Sequence, residues 1–367
     1  MRIALVISSL NSGGAERVIS ELANYWIKSG HEISFFTFSK LDSKPFYKLD
    51  SKVVVQNLEQ NNETKKNFFK KFFHLYKRVL ILRISLKSYN PDIIISFIDI
   101  MNIITILASF NFRVPIIVSE RIDPKYHKIP LFYNCLRIIL YSQVKYLVVQ
   151  TISASNYFPR YLKKLIRIIP NPVKNINYSK SDVTLPVRHL ISVGRLDIQK
   201  DHKTLILAFS DLIFVHEKDL FLTIYGEGPE RKNLEKLIVS LGLQDRVFLP
   251  GVISDIYHQI SLADIFIFPS LYEGFPNALC EAMAIGTPVI ASQCSGNTDV
   301  LRNEIDGLFF PIKDVPSLVS KIILLIESSS KRELYTKNAI TILERFNPEY
   351  IFNFWDQLIN IKITHSP

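Results

Sequence analysis

The stretch Glu273-Gly-Phe-Pro-Asn-Ala-Leu-Cys-Glu281 places two carboxylates eight positions apart, one before a predicted helix and one inside it. The apolar run Ile265–Phe268 precedes the stretch, and another apolar run follows Gly286. Pro276 suits the first position of a helix, because its missing N–H is not needed there and its φ is already helical. We therefore predict a strand, a turn, a helix over 277–284 that ends at Gly286, and a second strand.

This predicted helix start offers unpaired N–H groups and a partial positive charge, which favour an anionic phosphate. From Pro276 to Glu281 the helix would rise about 8 Å, at roughly 1.5 Å per residue. Acceptors at that spacing could hold hydroxyls at the two ends of a sugar-diphosphate-ribose ligand. The alternative is a pair of helix-terminal acids that the helix dipole stabilises. The spacing alone favours neither.

The rest of the chain repeats the same strand-then-helix order, which is typical of parallel α/β domains. A chain of 367 residues with 48% apolar and 21% charged residues is globular and long enough for two domains. Pro170-Asn-Pro172 and the polar stretch after it mark a boundary. The fold class is therefore α/β, with two Rossmann-like doubly wound domains. The predicted strands are 3–8, 32–38, 53–58, 93–97, 116–119 and 146–150, then 190–193, 221–225, 247–249, 265–268 and 289–291.

Glu273 to Glu281, followed by Gly286-Thr-Pro-Val-Ile-Ala291, resembles the E-x7-E signature of family 4 retaining glycosyltransferases, the "group 1" set. The resemblance extends over essentially the whole chain and is strongest from Val193 to Phe310. It implies the GT-B fold, in which two Rossmann-like domains face a central cleft. Residues 1–170 would then form the acceptor domain and 171–346 the nucleotide-sugar donor domain. Residues 347–367 would form a C-terminal helix that crosses back to the first domain.

The same resemblance implies roles for individual residues. Glu273 would contact the donor sugar and Glu281 the nucleotide ribose. Arg195 and Lys200, in Val193-Gly-Arg-Leu-Asp-Ile-Gln-Lys200, would grip the distal phosphate. Glu273, Arg195 and Lys200 are the catalytic candidates. The other donor-binding candidates line loops at strand ends: Gly13, Gly14, Gly194, Val252, Gly274, Phe275, Pro276, Asn277, Ala278 and Leu279, with Glu281.

Two further segments have an alternative interpretation. Gly13-Gly14 allows close approach of a ligand to the backbone, but an ordinary strand-to-helix turn would use the same glycines. Glu120 and Arg121 follow a predicted strand and are acceptor-side candidates. Arg121 cannot be a general base, because it has no accessible neutral form, but it could clamp an acceptor phosphate. The alternative for both is a buried ion pair with neighbouring residues.

Neither a metal nor a cofactor is expected. The chain has no Asp-x-Asp pair to hold a divalent ion on a diphosphate, and its eight histidines show no metal-site spacing. Arg195, Lys200 and helix N–H groups can neutralise the diphosphate instead. With three cysteines and no C-x-x-C pair, a reducing cytoplasm is expected rather than a disulfide framework.

Positive charge is concentrated in the first half of the chain. Residues 1–170 hold 25 Lys and Arg against 11 Asp and Glu, whereas the rest of the chain is slightly acidic. The segment 64–89 has no acid and interleaves aromatic with basic residues, which is typical of a helix at an anionic membrane surface. The alternative is a helix that packs by its aromatic face. The anion-binding candidates are Lys65, Lys66, Lys70, Lys71, Lys77 and Arg78.

The apolar segment Ile93–Val118 is expected to form a strand, a short helix and a strand rather than a membrane span, because polar residues and Pro115 interrupt it. The expected partners are a nucleotide-sugar donor, a lipid-pyrophosphate-linked or saccharide acceptor, and the cytoplasmic face of the inner membrane, without nucleic acid. The resemblance implies retaining transfer of a hexose or N-acetylhexosamine, and the resemblance of Asn11–Arg17 and Phe46–Leu58 to bacterial N-acetylhexosaminyl transferases favours a UDP-sugar as donor. The alternatives are a basic protein that binds a membrane or nucleic acid, and a UDP-sugar epimerase of the same fold.

Overall fold

A computed structural model describes residues 1–59, 68–180 and 186–360, without the side chains of residues 59 and 68–72. The chain divides into two compact units. Unit 1 comprises Met1–Asn171 and Glu349–Pro367, and unit 2 comprises Pro172–Pro348.

Over its described residues, unit 1 is built on a seven-stranded parallel sheet of order β3-β2-β1-β4-β5-β6-β7. Its strands are β1 (Arg2–Val6), β2 (Glu32–Lys40), β3 (Val54–Glu59), β4 (Ile93–Phe97), β5 (Ile116–Ser119), β6 (Tyr146–Val149) and β7 (Ile166–Ile168). Its helices are α1 (Gly14–Lys28), α2 (Phe68–Tyr89), α3 (Asp99–Ala108), α4 (Leu131–Leu140) and α5 (Ile152–Tyr157). The segment from Ile93 to Val118 is thus strand, helix and strand, as its sequence predicts.

In the described part of unit 2, six parallel strands have the order β10-β9-β8-β11-β12-β13. They are β8 (His189–Val193), β9 (Phe221–Tyr225), β10 (Val247–Gly251), β11 (Ile265–Phe268), β12 (Val289–Ser292) and β13 (Leu308–Phe310). The helices are α6 (His202–Phe214), α7 (Arg231–Ser240), α8 (Ile256–Leu262), α9 (Asn277–Ile285), α10 (Asn297–Val300), α11 (Val315–Glu327), α12 (Ser329–Ala339) and α13 (Ile342–Arg345).

The last helix, α14 (Pro348–Ile359), packs within unit 1. Trp355 lies edge-on to Trp26, with ring centroids 6.5 Å apart, and stacks on Phe97. Asp356 accepts hydrogen bonds from the Trp26 indole N–H at 2.8 Å and the Tyr25 hydroxyl at 2.6 Å. Aromatic packing and two charge-assisted bonds therefore fix α14 on α1.

Each sheet is doubly wound, which confirms the predicted fold class. The chain runs outward from β1 to β3 and then resumes at β4 on the other side of β1; β8 and β11 repeat this reversal in unit 2. Side chains of β11 alternate between the cores on the two faces of the sheet, with Ile265 and Ile267 in one and Phe266 and Phe268 in the other. Ligands bind such sheets at the carboxyl ends of the strands, where the winding reverses.

Candidate functional site

The candidate donor-binding residues of unit 2 lie where the neighbouring strands β8 and β11 end. β8 leads into the loop Gly194–Lys200, and β11 leads into the loop 269–276 before α9. The backbone N–H of Leu271 donates to the carbonyl of Gln199 at 2.7 Å, so the two loops are tied together. Residues predicted from two distant motifs therefore meet at the reversal point of the sheet.

Lys200 and Glu273 form the central contact of this site. The Lys200 Nζ lies 2.6 Å from Oε1 of Glu273, and both side chains are largely buried. The same ammonium lies 4.7 Å from the ring centroid of Phe268. Gln199 Nε2 donates to the Tyr272 carbonyl at 2.9 Å, which braces the residue before Glu273. A pair held mostly out of water interacts more strongly than a surface pair, and it presents a fixed cation and a fixed acceptor.

A third loop, after β12, holds the backbone of Glu273. The N–H of Glu273 donates to the Ser295 carbonyl at 3.0 Å. Gly296 has φ +86°, and a Cβ on it would lie 2.8 Å from both the Cβ and the carbonyl oxygen of Glu273. Only glycine therefore fits against Glu273 here. This loop was not predicted from the sequence, since Gly296 lies five residues beyond the predicted strand 289–291 and belongs to no recognised motif.

Helix α9 begins at Asn277, so Pro276 is its N-cap residue and not, as predicted, its first helical residue. The helix ends at Gly286, which adopts the left-handed conformation at φ +86°. Glu281 lies half-buried on α9. Of the predicted donor-binding residues here, Gly274, Phe275, Pro276 and Leu279 are buried, whereas Asn277 and Ala278 are half-buried. Phe275 and Leu279 pack in the core, so their side chains support the helix start.

Arg195 has a different ion-pair partner from Lys200. The Arg195 side chain is 70% exposed, and its Nε lies 2.8 Å from the Asp197 carboxylate. Gly194 packs under Lys200: a Cβ on Gly194 would lie 3.2 Å from Lys200 Cδ. Val252, just after β10, is 72% exposed. Arg195 is thus an exposed loop cation that pairs with Asp197, whereas Lys200 pairs with Glu273.

Unit 1 places its predicted residues at the same kind of edge. Gly13 is extended and caps α1, which starts at Gly14. Arg121 is buried over the Phe97 ring, 4.3 Å from its centroid, and donates to Asn171 Oδ1 at 3.1 Å. Burial lowers the pKa of Arg121 to about 9, opposed by the charge of Glu16. The guanidinium still carries its charge at neutral pH.

Glu120 has a different environment from Arg121. Its Oε1 accepts a 2.5 Å hydrogen bond from the Tyr141 hydroxyl and lies 3.7 Å from Nη1 of Arg137. Burial raises the pKa of Glu120 to about 7, although the charge of Arg137 opposes the shift. The two neighbours are therefore both buried, but each faces its own partners.

Helix α2 exposes aromatic residues to solvent, although packing by its aromatic face was the alternative to membrane binding. Leu75, Leu82 and Leu86 are buried, on the opposite side from a stripe of exposed apolar residues. That stripe consists of Phe73, Tyr76, Leu80 and Ile84. Of the predicted basic residues, Lys77 is exposed and Arg78 lies 5.2 Å from the centroid of the Phe38 ring. Lys65 and Lys66 lie outside the described residues, as do the side chains of Lys70 and Lys71.

Among the residues that the structure describes, no group of three or more His, Cys, Asp or Glu side chains could hold a metal ion. Within the same ranges, no helix has the length and apolar character needed to cross a bilayer.

Comparison with known proteins identifies similar chains for both units. The profile of the family "Glycosyl transferases group 1" matches residues 179–341, and that of "Glycosyltransferase Family 4" matches residues 12–175. The chain is 30% identical over 361 residues to the Campylobacter jejuni GalNAc-alpha-(1->4)-GalNAc-alpha-(1->3)-diNAcBac-PP-undecaprenol alpha-1,4-N-acetyl-D-galactosaminyltransferase, with 98% of each chain covered.

Two solved structures share the fold. Sucrose-phosphate synthase from Thermosynechococcus elongatus superposes with a TM-score of 0.85 at 22% identity, covering 97% of this chain and 98% of that one. HepE from Anabaena, in complex with UDP and glucose, gives a TM-score of 0.79 at 19% identity, covering 98% and 99%.

Proposed function

We propose a specific reaction for this chain, which belongs to the glycosyl transferases group 1 family and is a glycosyltransferase with the GT-B fold. The proposed reaction is retaining transfer of an N-acetylhexosamine or hexose from a UDP-sugar to a lipid-linked glycan. The observation that carries it is the buried Lys200–Glu273 pair at the reversal point of the unit 2 sheet.

In this proposal, Lys200 and the first N–H groups of α9 stabilise the negative charge that develops on the departing diphosphate. Glu273 accepts hydrogen bonds from hydroxyls of the donor sugar. Its present partner, the Lys200 ammonium, holds the carboxylate in a fixed orientation until the donor arrives. Glu281 accepts from the ribose, and Arg195 turns from Asp197 to the distal phosphate.

The donor assignment is supported by the relatives. The Campylobacter relative is named an N-acetyl-D-galactosaminyltransferase, and HepE was solved with UDP and glucose. We therefore favour UDP-GalNAc, with UDP-GlcNAc as the next candidate. Thermal unfolding with a panel of nucleotides and nucleotide sugars tests this, because a ligand stabilises the state that binds it. Stabilisation by UDP and one UDP-sugar but not by GDP is expected; stabilisation by GDP instead would overturn the donor class.

The mechanistic assignment has a sharper test in Glu273. Glu273→Ala removes the acceptor for the donor sugar and leaves Lys200 without its partner, so turnover should fall by about 100-fold or more. Glu304→Ala, at an exposed acid of the same unit, is the control. Unchanged turnover of Glu273→Ala with the true donor and acceptor would refute the role of Glu273.

The acceptor side of the proposal rests on α2 and on charge. The exposed stripe of α2 combines aromatic and aliphatic side chains with Lys77 and Lys87, and the unit around it is strongly basic. Such a face suits the interface of an anionic bilayer. The Campylobacter relative's name includes a PP-undecaprenol acceptor. We infer that unit 1 docks peripherally on the cytoplasmic face of the inner membrane, where a lipid-linked acceptor is available.

Vesicle sedimentation tests this docking. The double variant Tyr76→Ser/Ile84→Ser should lose binding to phosphatidylglycerol vesicles, whereas Val215→Ser/Val239→Ser, at equally exposed positions of unit 2, should not. Binding of the wild type should weaken with salt and should be absent with phosphatidylcholine alone. If the two double variants bound phosphatidylglycerol vesicles equally well, the α2 surface would not be the membrane-binding surface.

A further inference from the structure

An Asp–His pair lies at the carboxyl edge of the unit 1 sheet. His127 Nε2 is 3.3 Å from Oδ2 of Asp99. Asp99 begins α3, with Ile98 between it and the end of β4 at Phe97, and His127 lies on the loop after the neighbouring strand β5. The His127 side chain is 40% exposed, whereas that of Asp99 is 5% exposed. The pair thus occupies the sheet edge beside the winding reversal and presents the imidazole outward.

The loop that carries His127 is rigidly held. Asp123 is fully buried, and its carboxylate accepts from the Lys125 N–H and the Ser153 hydroxyl, each at 2.9 Å. Its carbonyl accepts from the N–H groups of Tyr126 at 3.2 Å and His127 at 3.0 Å. A ligand would therefore meet His127 already ordered, and binding would cost little conformational entropy.

The backbone before Asp99 is strained. Ile98, a β-branched residue, has φ +76°. Two hydrogen bonds hold it there: its N–H donates to the Ser119 carbonyl at 3.0 Å, and its carbonyl accepts from Asn102 N at 2.9 Å. Such strain persists where the surrounding structure imposes it, and it concentrates at functional sites.

The charged side chains exposed beside His127 are cations, whereas the acids near it are buried, as are Arg121 and Arg137. Asp99, Glu120 and Asp123 are buried, whereas Lys125 and Lys128 are exposed beside His127. The pKa of His127 is raised, chiefly by its hydrogen bond to Asp99 and further by the charges of Asp99 and Glu120. Burial of the imidazole and the charge of Arg137 on α4 act in the opposite direction. The solvent-facing side of the loop is therefore positive, which favours an anionic ligand.

We infer that His127, positioned by Asp99 and assisted by Lys125 and Lys128, binds a phosphate group of the acceptor. This rests on the proposed function, since it takes the acceptor to be a diphosphate-linked sugar. His127 donates its free N–H to a phosphate oxygen, and the lysines add charge. Asp99 is a positioning residue, because it is buried behind the imidazole.

Kinetics with two soluble acceptors test the inference: a short-chain prenyl diphosphate N-acetylhexosamine, and the alkyl glycoside of the same sugar. In His127→Gln the KM for the diphosphate acceptor should rise about 10-fold or more, the usual effect of losing a charged hydrogen bond, with kcat and the donor KM unchanged. The KM for the alkyl glycoside should not change. His31→Gln, at a half-buried histidine before β2 and so at the opposite edge of the same sheet, is the control.

The pH dependence adds a readout that a structural role would not produce. Protonated His127 binds the anion, so the wild-type KM for the diphosphate acceptor should rise as pH increases through the raised pKa of His127. His127→Gln should lack this rise, and Asp99→Asn should shift it to lower pH. A diphosphate diester keeps its charge over this range, so the titration belongs to the protein.

Several outcomes would overturn the inference: an unchanged KM in His127→Gln, an equal loss with the alkyl glycoside, or a higher KM for the donor alone. Loss of vesicle binding without a change in KM would assign the loop to lipid headgroups instead. Calorimetry measures binding of the prenyl diphosphate sugar without any transfer reaction, so it tests the phosphate site independently of the proposed function. If the wild type transfers no sugar but binds this compound in a way that depends on His127, the proposed function is wrong and the phosphate site stands.

Discussion

Gly296→Ala is expected to disable the enzyme without unfolding it. The new Cβ would lie 2.8 Å from both the Cβ and the carbonyl oxygen of Glu273. Non-bonded carbon atoms settle at about 3.5–4.0 Å, so the two backbones must separate by roughly 1 Å. A displacement of that size in a catalytic group costs about 100-fold in rate. The left-handed backbone at φ +86° adds a strain of about 1–2 kcal/mol for any residue with a Cβ.

Gly242→Ala separates strain from displacement. Gly242 lies just beyond α7 with φ +66°, and a Cβ there would meet nothing within 4 Å. Gly242→Ala should therefore lose about 1–2 kcal/mol in the free energy of unfolding measured with urea, and Gly296→Ala should lose more, because the clash adds to the strain. Only Gly296→Ala should lose about 100-fold in kcat/KM. If the folded Gly296→Ala enzyme were as active as Gly242→Ala, contact with Gly296 would not position Glu273 for catalysis.

Three further predictions concern charge. Lys200→Met should lower kcat by about 100-fold or more, because it removes the buried cation that would stabilise the departing diphosphate. Lys203→Met, at an exposed lysine, should leave kcat unchanged. Single-turnover rates with saturating donor check both variants. Glu120→Gln should flatten the pH dependence of stability. The pKa of Glu120 is about 7 in the folded protein against an ordinary 4.5, so between these values folded Glu120 keeps a proton that the unfolded chain loses. In the wild type, the free energy of unfolding should therefore fall as the pH rises from about 4.5 to about 7. Urea titrations of Glu120→Gln should show no such fall. Activity should persist in EDTA; its loss, restored by Mg²⁺ or Mn²⁺, would refute metal-independent transfer.

The fold could be predicted from the sequence where strands are long and apolar on both faces. β1, β4, β8 and β11 lie inside their sheets with helices on both sides, so most of their side chains are apolar and buried. β7 and β13 were missed, because three residues at a sheet edge carry no readable periodicity. α4 was also missed, since its sequence is apolar around most of its circumference.

The candidate site was predictable in its motifs but not in its contacts. Lys200 and Glu273 stand out as motif residues, yet their 2.6 Å contact depends on β8 and β11 being adjacent at the winding reversal. Gly296 carries no motif signal of its own, and its role follows from one backbone passing another. Asp99 and His127 are ordinary residues in the sequence and become a pair only because β4 and β5 are neighbours.

Glu120 and Arg121 show why adjacent residues of a motif cannot be assigned one shared role. Consecutive residues of an extended chain point to opposite sides. Glu120 consequently faces Tyr141 and Arg137, where burial brings its pKa to about 7, and Arg121 faces Phe97 and Asn171, where it stays charged. Near neutral pH the first can gain or lose a proton and the second cannot. The charge of Glu120 also contributes to the raised pKa of His127. Protonation of Glu120 would therefore lower the pKa of His127. A change of charge at Glu120 can therefore be felt at His127, whereas Arg121 holds a fixed positive charge near neutral pH.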